Sequence, residues 1–196
     1  LVAAATKQLE TLPYYHLFGQ KSHPPSIDLA EKLLNVAPDT VSKVFFNNSG
    51  SEANDTAIKI IWYYNNARGR HQKKKIIGRI NGYHGITLAS SSLTGRSLNH
   101  AGFDVPLEKF IHTNNPHYYR FGEDGETEED FATRMANDLD QLIIDEGPET
   151  VAAFFAEPIM GAGGVITPPK TYFEKIQAVL KKHDVLFVAD EVICGF

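Results

Sequence analysis

The sequence holds a single cysteine, Cys194, in 196 residues. One thiol cannot close an internal disulfide, and such sparing use of cysteine fits a reducing compartment. No stretch approaches the roughly 20 consecutive apolar residues that a membrane-spanning helix needs. An excess of positive charge is missing too: 19 Lys and Arg face 24 Asp and Glu, a formal net charge of −5. That balance argues against a nucleic-acid surface, and Lys73-Lys74-Lys75 reads as a solvated helix-to-strand connection. The Gly-x-Gly-x-x-Gly turn of dinucleotide-binding modules does not follow the first strand. His84 has no second ligand at zinc-type spacing, so a metal site is not expected. An initiator methionine is absent, and nothing near Leu1 resembles a signal peptide. Both ends are expected to be cuts through a longer protein.

What is present is an ordinary globular composition, 42% hydrophobic and 22% charged, enough for one sizeable core. Residues 1–11 read as a short helix ended by Pro13. Pro24 and Pro25 open a second that stops near Pro38. Val44-Phe45-Phe46 reads as a strand. The spacing of Ala53, Ala57, Ile60, Ile61 and Tyr64 predicts an amphipathic helix of about five turns. A strand follows from Lys75 to Ile80, then a turn bracketed by Gly82 and Gly85. The segment from His100 to Gly125 reads as long loops with short strands. Glu128 to Ile144 is predicted helical, with Phe131, Met135, Leu139, Leu142 and Ile143 inward. Val151 to Ala156 is an apolar strand ending at Glu157-Pro158, and 161–164 a flexible loop. Tyr172, Phe173, Ile176, Val179 and Leu180 stripe one more helix before a buried strand from Val185. Such alternation, with strands lacking an exposed face, predicts an α/β fold with a mostly parallel sheet flanked by helices. The expected division is a helical segment over 1–38 leading into a larger domain over 39–196.

Three motifs sit at the carboxyl ends of the predicted strands, where open α/β sheets place their ligands. Ser49-Gly50-Ser51 opens a helix, whose unpartnered N–H groups attract an anion. The same residues also suit an ordinary N-cap with Glu52 in the first turn. Gly82-Tyr83-His84-Gly85 can present a flat ring to a flat ligand, or simply cover the edge of the core. His84 reads more readily as a hydrogen-bonded structural residue. Asp190 ends an apolar run beside Glu157, and a buried carboxylate needs a partner: a protonated pyridine ring, a helix cap or an ion pair.

Phe46-Asn47-Asn48-Ser49-Gly50-Ser51-Glu52-Ala53-Asn54, Gly82-Tyr83-His84-Gly85, Ala156-Glu157-Pro158-Ile159-Met160-Gly161-Ala162-Gly163-Gly164 and the segment from Ala189-Asp190-Glu191-Val192 to Phe196 together resemble the class III pyridoxal phosphate aminotransferases. Met160 to Gly164 and Pro116-His117-Tyr118-Tyr119-Arg120 resemble the branch that uses pyruvate as amino acceptor, with ω-amino acid and 4-aminobutyrate–pyruvate transaminases. The resemblance implies a truncated fold-type I large domain, without the C-terminal small domain, and a homodimer with active sites at the subunit interface. It implies that Ser49, Gly50 and Ser51 bind the phosphate of pyridoxal 5'-phosphate, that Tyr83 stacks on the ring and that Val192 packs its other face. Asp190 would pair with the ring nitrogen, Glu157 would lie near the ring hydroxyl, and Phe18 would line the substrate pocket. The Schiff-base lysine of that family is expected beyond Phe196, so no catalytic residue is assigned here and this chain alone is expected to lack transaminase activity. Lys170, Lys175, Lys181 and Lys182 match no part of its motif. The implied substrates are a small amine donor and a keto acid, in the cytoplasm or a mitochondrion. Rival readings are another class III chemistry (aminomutase, racemase or decarboxylase), a non-catalytic nucleotide-binding α/β module, or a protein with no cofactor.

Overall fold

The computed structural model describes residues 1–195. The chain forms two compact units, Leu1–Phe46 and a second from Asn47 onward. The first carries helices α1 (Val2–Thr11) and α2 (Pro24–Val36). His23 caps α2, its Nδ1 accepting the Ser26 N–H at 3.3 Å, and Pro24 supplies a pre-set φ where no N–H is needed. Val44 to Phe46 is irregular backbone rather than the expected strand. Strand preference reflects fit to a half-buried pleated surface, and Phe45 is 71% exposed.

The second unit is built on a parallel sheet of four strands in the order β2-β1-β3-β4. They are β1 (Lys75–Arg79), β2 (Phe110–Thr113), β3 (Val151–Ala156) and β4 (Leu186–Ala189). Its helices are α3 (Gly50–Ala67), α4 (Leu88–Leu93), α5 (Ser97–His100), α6 (Tyr118–Phe121), α7 (Glu128–Glu146) and α8 (Tyr172–Lys182). Neighbouring strand residues point to opposite faces, and two cores result. Ile77 and Phe154 join Phe131, Leu139 and Ile143 of α7 and Ile176 and Leu180 of α8. Ile76 and Phe155 join Ile58 and Ile61 of α3 and Leu93 of α4. The fold class expected from the sequence is therefore present, with helices on both faces.

Three local expectations need correction. The buried face of α3 is Asn54, Ile58, Ile61 and Asn65, whereas Ile60 and Tyr64 are exposed. The period is right, but the stripe is rotated because two asparagines occupy core positions where only apolar residues were sought. The run from Val185 is not a buried strand: β4 is half-buried with alternating exposure, pairing only with β3 among the described residues. The 161–164 loop is pinned, because Met160 and Ile166 form a bridge and Arg96 donates to the Ala162 carbonyl. A helix the sequence did not signal, α4, is set by Ser90, whose Oγ accepts the Thr87 N–H at 3.1 Å, and by Asp55, whose Oδ1 accepts the Ser90 N–H at 3.0 Å.

Candidate active site

Helix α3 begins at Gly50 because Ser49 ends the preceding extended chain. The Ser49 hydroxyl accepts the Glu52 N–H at 3.2 Å, and the Glu52 carboxylate accepts the Asn48 N–H at 2.9 Å. Ser49 thus acts as an N-cap, and it does not line the cavity described below. The N–H groups of Gly50 and Ser51, at the start of the helix, have no intrahelical acceptor and lie at its positive end. The Ser51 Oγ accepts the Ile86 N–H at 3.0 Å, which leaves its own proton to be donated elsewhere.

At the carboxyl end of β1, Gly82 to Gly85 turn the chain back toward α3. Gly85 has a φ of +133°, and a Cβ there would lie 2.4 Å from the Ser51 Oγ and 2.6 Å from the Ser90 Oγ. Only glycine fits that crossing. The neighbouring strand β3 is followed by Glu157, whose two carboxylate oxygens accept the N–H groups of Tyr83 and Gly161, each at 3.1 Å. Beneath it the fully buried Arg79 donates to the Glu157 carbonyl and lies against the Tyr172 and Phe173 rings. Glu157 therefore clamps two turns together, a role its position beside a strand end did not reveal.

Asp190 follows β4, with its backbone N–H donating to the Ala156 carbonyl at 2.9 Å. Its Oδ2 accepts Nδ1–H of His84 at 2.8 Å and Nδ2–H of Asn54 at 2.9 Å, while Oδ1 accepts the Val192 N–H at 3.3 Å. Burial pushes the carboxyl pKa up, but the donors from His84 and Asn54 outweigh it and hold the group below the ordinary carboxylate range. An ionised carboxylate has about four acceptor positions, so Oδ1 keeps room for a further donor.

Gly50, Ser51, Tyr83, His84, Gly85, Glu157, Ala162, Asp190, Val192 and Ile193 enclose one cavity of about 280 Å³. It lies at the carboxyl ends of β1, β3 and β4 and matches the lower end of small-molecule sites, about 300 Å³. Six of the seven residues expected to bind a cofactor line it, Ser49 being the exception. Phe18 belongs to the first unit and is 84% exposed. The lysines near α8 stay away from the cavity lining: Lys175 pairs with Glu129 and Lys182 with Asp140. A wider groove of about 600 Å³ opens at the amino ends of the strands. Its cationic side chains are already engaged, Arg70 by Asp184, Lys182 and His183 by Asp140, and Lys73 by the Pro148 and His183 carbonyls.

The family model for class-III aminotransferases matches residues 1–196. The chain belongs to the class-III aminotransferases. Among relatives of this aminotransferase chain, a chloroplastic gamma aminobutyrate transaminase 3 of Solanum lycopersicum is 61% identical, covering all of the chain and 38% of that protein. Vanillin aminotransferase of Capsicum frutescens is 59% identical over all of the chain and 43% of its own length. The solved structure of the omega transaminase from Pseudomonas jessenii in complex with PMP superposes with a TM-score of 0.97 at 63% identity, again covering all of the chain and 43% of that structure. The class III chain thus spans roughly two fifths of these relatives' length. Enzymes of this class use pyridoxal phosphate, and the cavity has the features that cofactor requires. A helix start and a spare hydroxyl proton at Ser51 would suit a phosphate. The carboxylate of Asp190 would suit a protonated ring nitrogen. A Cβ on Gly50 would lie 2.9 Å from the Val192 Cγ2, so the bare backbone of Gly50 lets Val192 pack against the start of α3. Asn54 and the tie between His84 and Asp190 escaped the sequence reading. The available signal was a polar residue on the core face of α3, which burial obliges to find partners.

Among the described residues, no helix is long and apolar enough to cross a membrane. No group of three or more His, Cys, Asp or Glu among them is placed to hold a metal ion.

Proposed function

We propose that the protein containing this chain transfers an amino group from an ω-amino acid or amine to pyruvate, using pyridoxal 5'-phosphate held in the Gly50–Asp190 cavity. The observation that supports it most is the convergence of Gly50, Ser51, Tyr83, Glu157, Asp190 and Val192 on that one cavity. When bound, the cofactor supplies an electron sink for a substrate carbanion. The chain's own residues prepare it for that task. Gly50 and Ser51 offer backbone N–H groups and a hydroxyl to the phosphate, and Tyr83 offers its ring face. Asp190 keeps a proton on the ring nitrogen, because a carboxylate held ionised favours a cation beside it. His84 and Asn54 orient that carboxylate, and Glu157 fixes the turn that carries Tyr83.

Amine donor and keto-acid acceptor are small molecules, and the working form is proposed to be a homodimer. Relatives named for gamma aminobutyrate support an ω-amino acid donor, and the choice between that and another amine is left to experiment. The intact protein is expected to show a visible absorption band from bound cofactor and to consume pyruvate in the presence of such an amine. A colourless protein that binds no pyridoxal phosphate would overturn the reading. A coloured one that leaves the keto acid untouched would redirect it to aminomutase, racemase or decarboxylase chemistry.

A further inference from the structure

Asn54 occupies a core position of α3 although its side chain is polar, and it is only 7% exposed. Its amide carries two N–H donors. One reaches the His84 carbonyl at 2.7 Å and the other the Asp190 Oδ2 at 2.9 Å. The donors therefore go to two separate pieces of chain: the turn after β1 and the residue that follows β4. The backbone of Asn54 belongs to a third, the helix that presents Gly50 and Ser51 one turn earlier.

We propose that Asn54 is a positioning residue that fastens the anion-binding start of α3 to the carboxylate of Asp190 and to the Tyr83-His84 turn, fixing the separation between the two ends of the cavity. This rests on the cofactor reading above and extends it to how the site keeps its shape. A ligand with an anion at one end and a cationic ring nitrogen at the other feels that separation, whereas a bare anion does not. Asn54 also leaves Oδ1 as the less occupied oxygen of Asp190. Oδ2 receives both side-chain donors, so the carboxylate cannot turn without breaking one of them. The other ionisable groups around the cavity are Tyr83 and His84 from the turn and Glu157 just after β3; His84 already donates to Asp190, and Glu157 accepts two backbone N–H groups. Neither can replace the lost donor. A leucine at this position would fill the same space and donate nothing, stranding the His84 carbonyl and weakening the hold on Asp190.

The test uses the intact protein with Asn54→Leu and the milder Asn54→Ser, each checked for folding by circular dichroism. Dissociation constants for pyridoxal phosphate and for inorganic phosphate are measured in parallel. The expected result is a loss of about tenfold or more in pyridoxal phosphate affinity, with phosphate affinity changed less than about twofold. Parallel losses for both ligands, or unchanged affinity for both, would overturn the proposal. A second measurement needs no cofactor: a double-mutant cycle of Asn54→Ser with Asp190→Asn in urea unfolding. Non-additivity of about fivefold or more in the unfolding constant is expected, and strict additivity would refute the tie. Should the unaltered protein bind no pyridoxal phosphate, the cofactor reading fails, while the cycle still decides whether Asn54 holds Asp190.

Discussion

His84 Nδ1 stands 2.8 Å from Asp190 Oδ2, with 0% and 5% of the two side chains exposed. A buried carboxylate deprived of a donor loses more than one hydrogen bond, since water cannot replace it. His84→Ala is expected to lower the unfolding free energy at neutral pH by about 1–3 kcal/mol and to raise the carboxyl pKa of Asp190, because burial then acts with less opposition. Urea denaturation measures the first effect. An unchanged midpoint would show that the contact carries no weight.

The depressed Asp190 pKa also sets a pH dependence. A group whose folded pKa lies below its unfolded value, about 3.9 for aspartate, stabilises the fold above that value and loses the contribution as pH falls toward the folded pKa. The stability difference between the unaltered chain and Asp190→Asn is therefore expected to be full near pH 6 and to shrink as the solution is acidified below about pH 4. Paired urea titrations from pH 6 downward supply the comparison. A difference flat across that range would contradict the assignment.

Ser51 offers a hydroxyl at the proposed phosphate end, its Oγ already accepting the Ile86 N–H at 3.0 Å. Ser51→Ala removes a donor to an anion, worth about 1.5–3 kcal/mol. Calorimetric titration of the intact protein with pyridoxal phosphate is expected to show affinity lower by about ten- to a hundredfold. Equal binding by both forms would remove Ser51 from the site.

At Gly85, φ is +133° and the space is filled by the Ser51 and Ser90 hydroxyls. Gly85→Ala combines a conformation unsuited to L residues with a steric clash. The expected cost is about 2–4 kcal/mol, from backbone strain and overpacking together. Chemical denaturation should register it as a lower midpoint with an unchanged slope, and a loss below about 0.5 kcal/mol would count against the crossing.

The arrangement of strands and helices was legible because parallel strands buried on both faces are continuous apolar runs. Val151 to Ala156 and the stripe of α7 announce themselves in that way. Most of the cavity was legible because its residues sit at strand ends and helix starts, where the chain's chemistry changes abruptly. What stayed hidden depends on partners far apart in the sequence. Asn54 meets Asp190 across 136 positions, and no local pattern records such a meeting. The rotation of α3 went unseen because its core face includes two polar residues: Asn54, whose partners are distant, and Asn65, whose amide donates to the Ile61 carbonyl one turn earlier. Val185 to Ala189 read as buried because apolar content alone does not say how many neighbours a strand has.

That last strand carries a physical liability. Among the described residues its outer margin pairs with nothing, and the backbone of Leu186-Phe187-Val188-Ala189 offers donors and acceptors in a row there, with no charge or proline to discourage a visitor. Left bare, such a rim templates the addition of whatever extended segment arrives first, including the same four residues of another copy. Concentrated solutions of these residues alone are therefore prone to grow sideways into aggregates unless another strand occupies that margin.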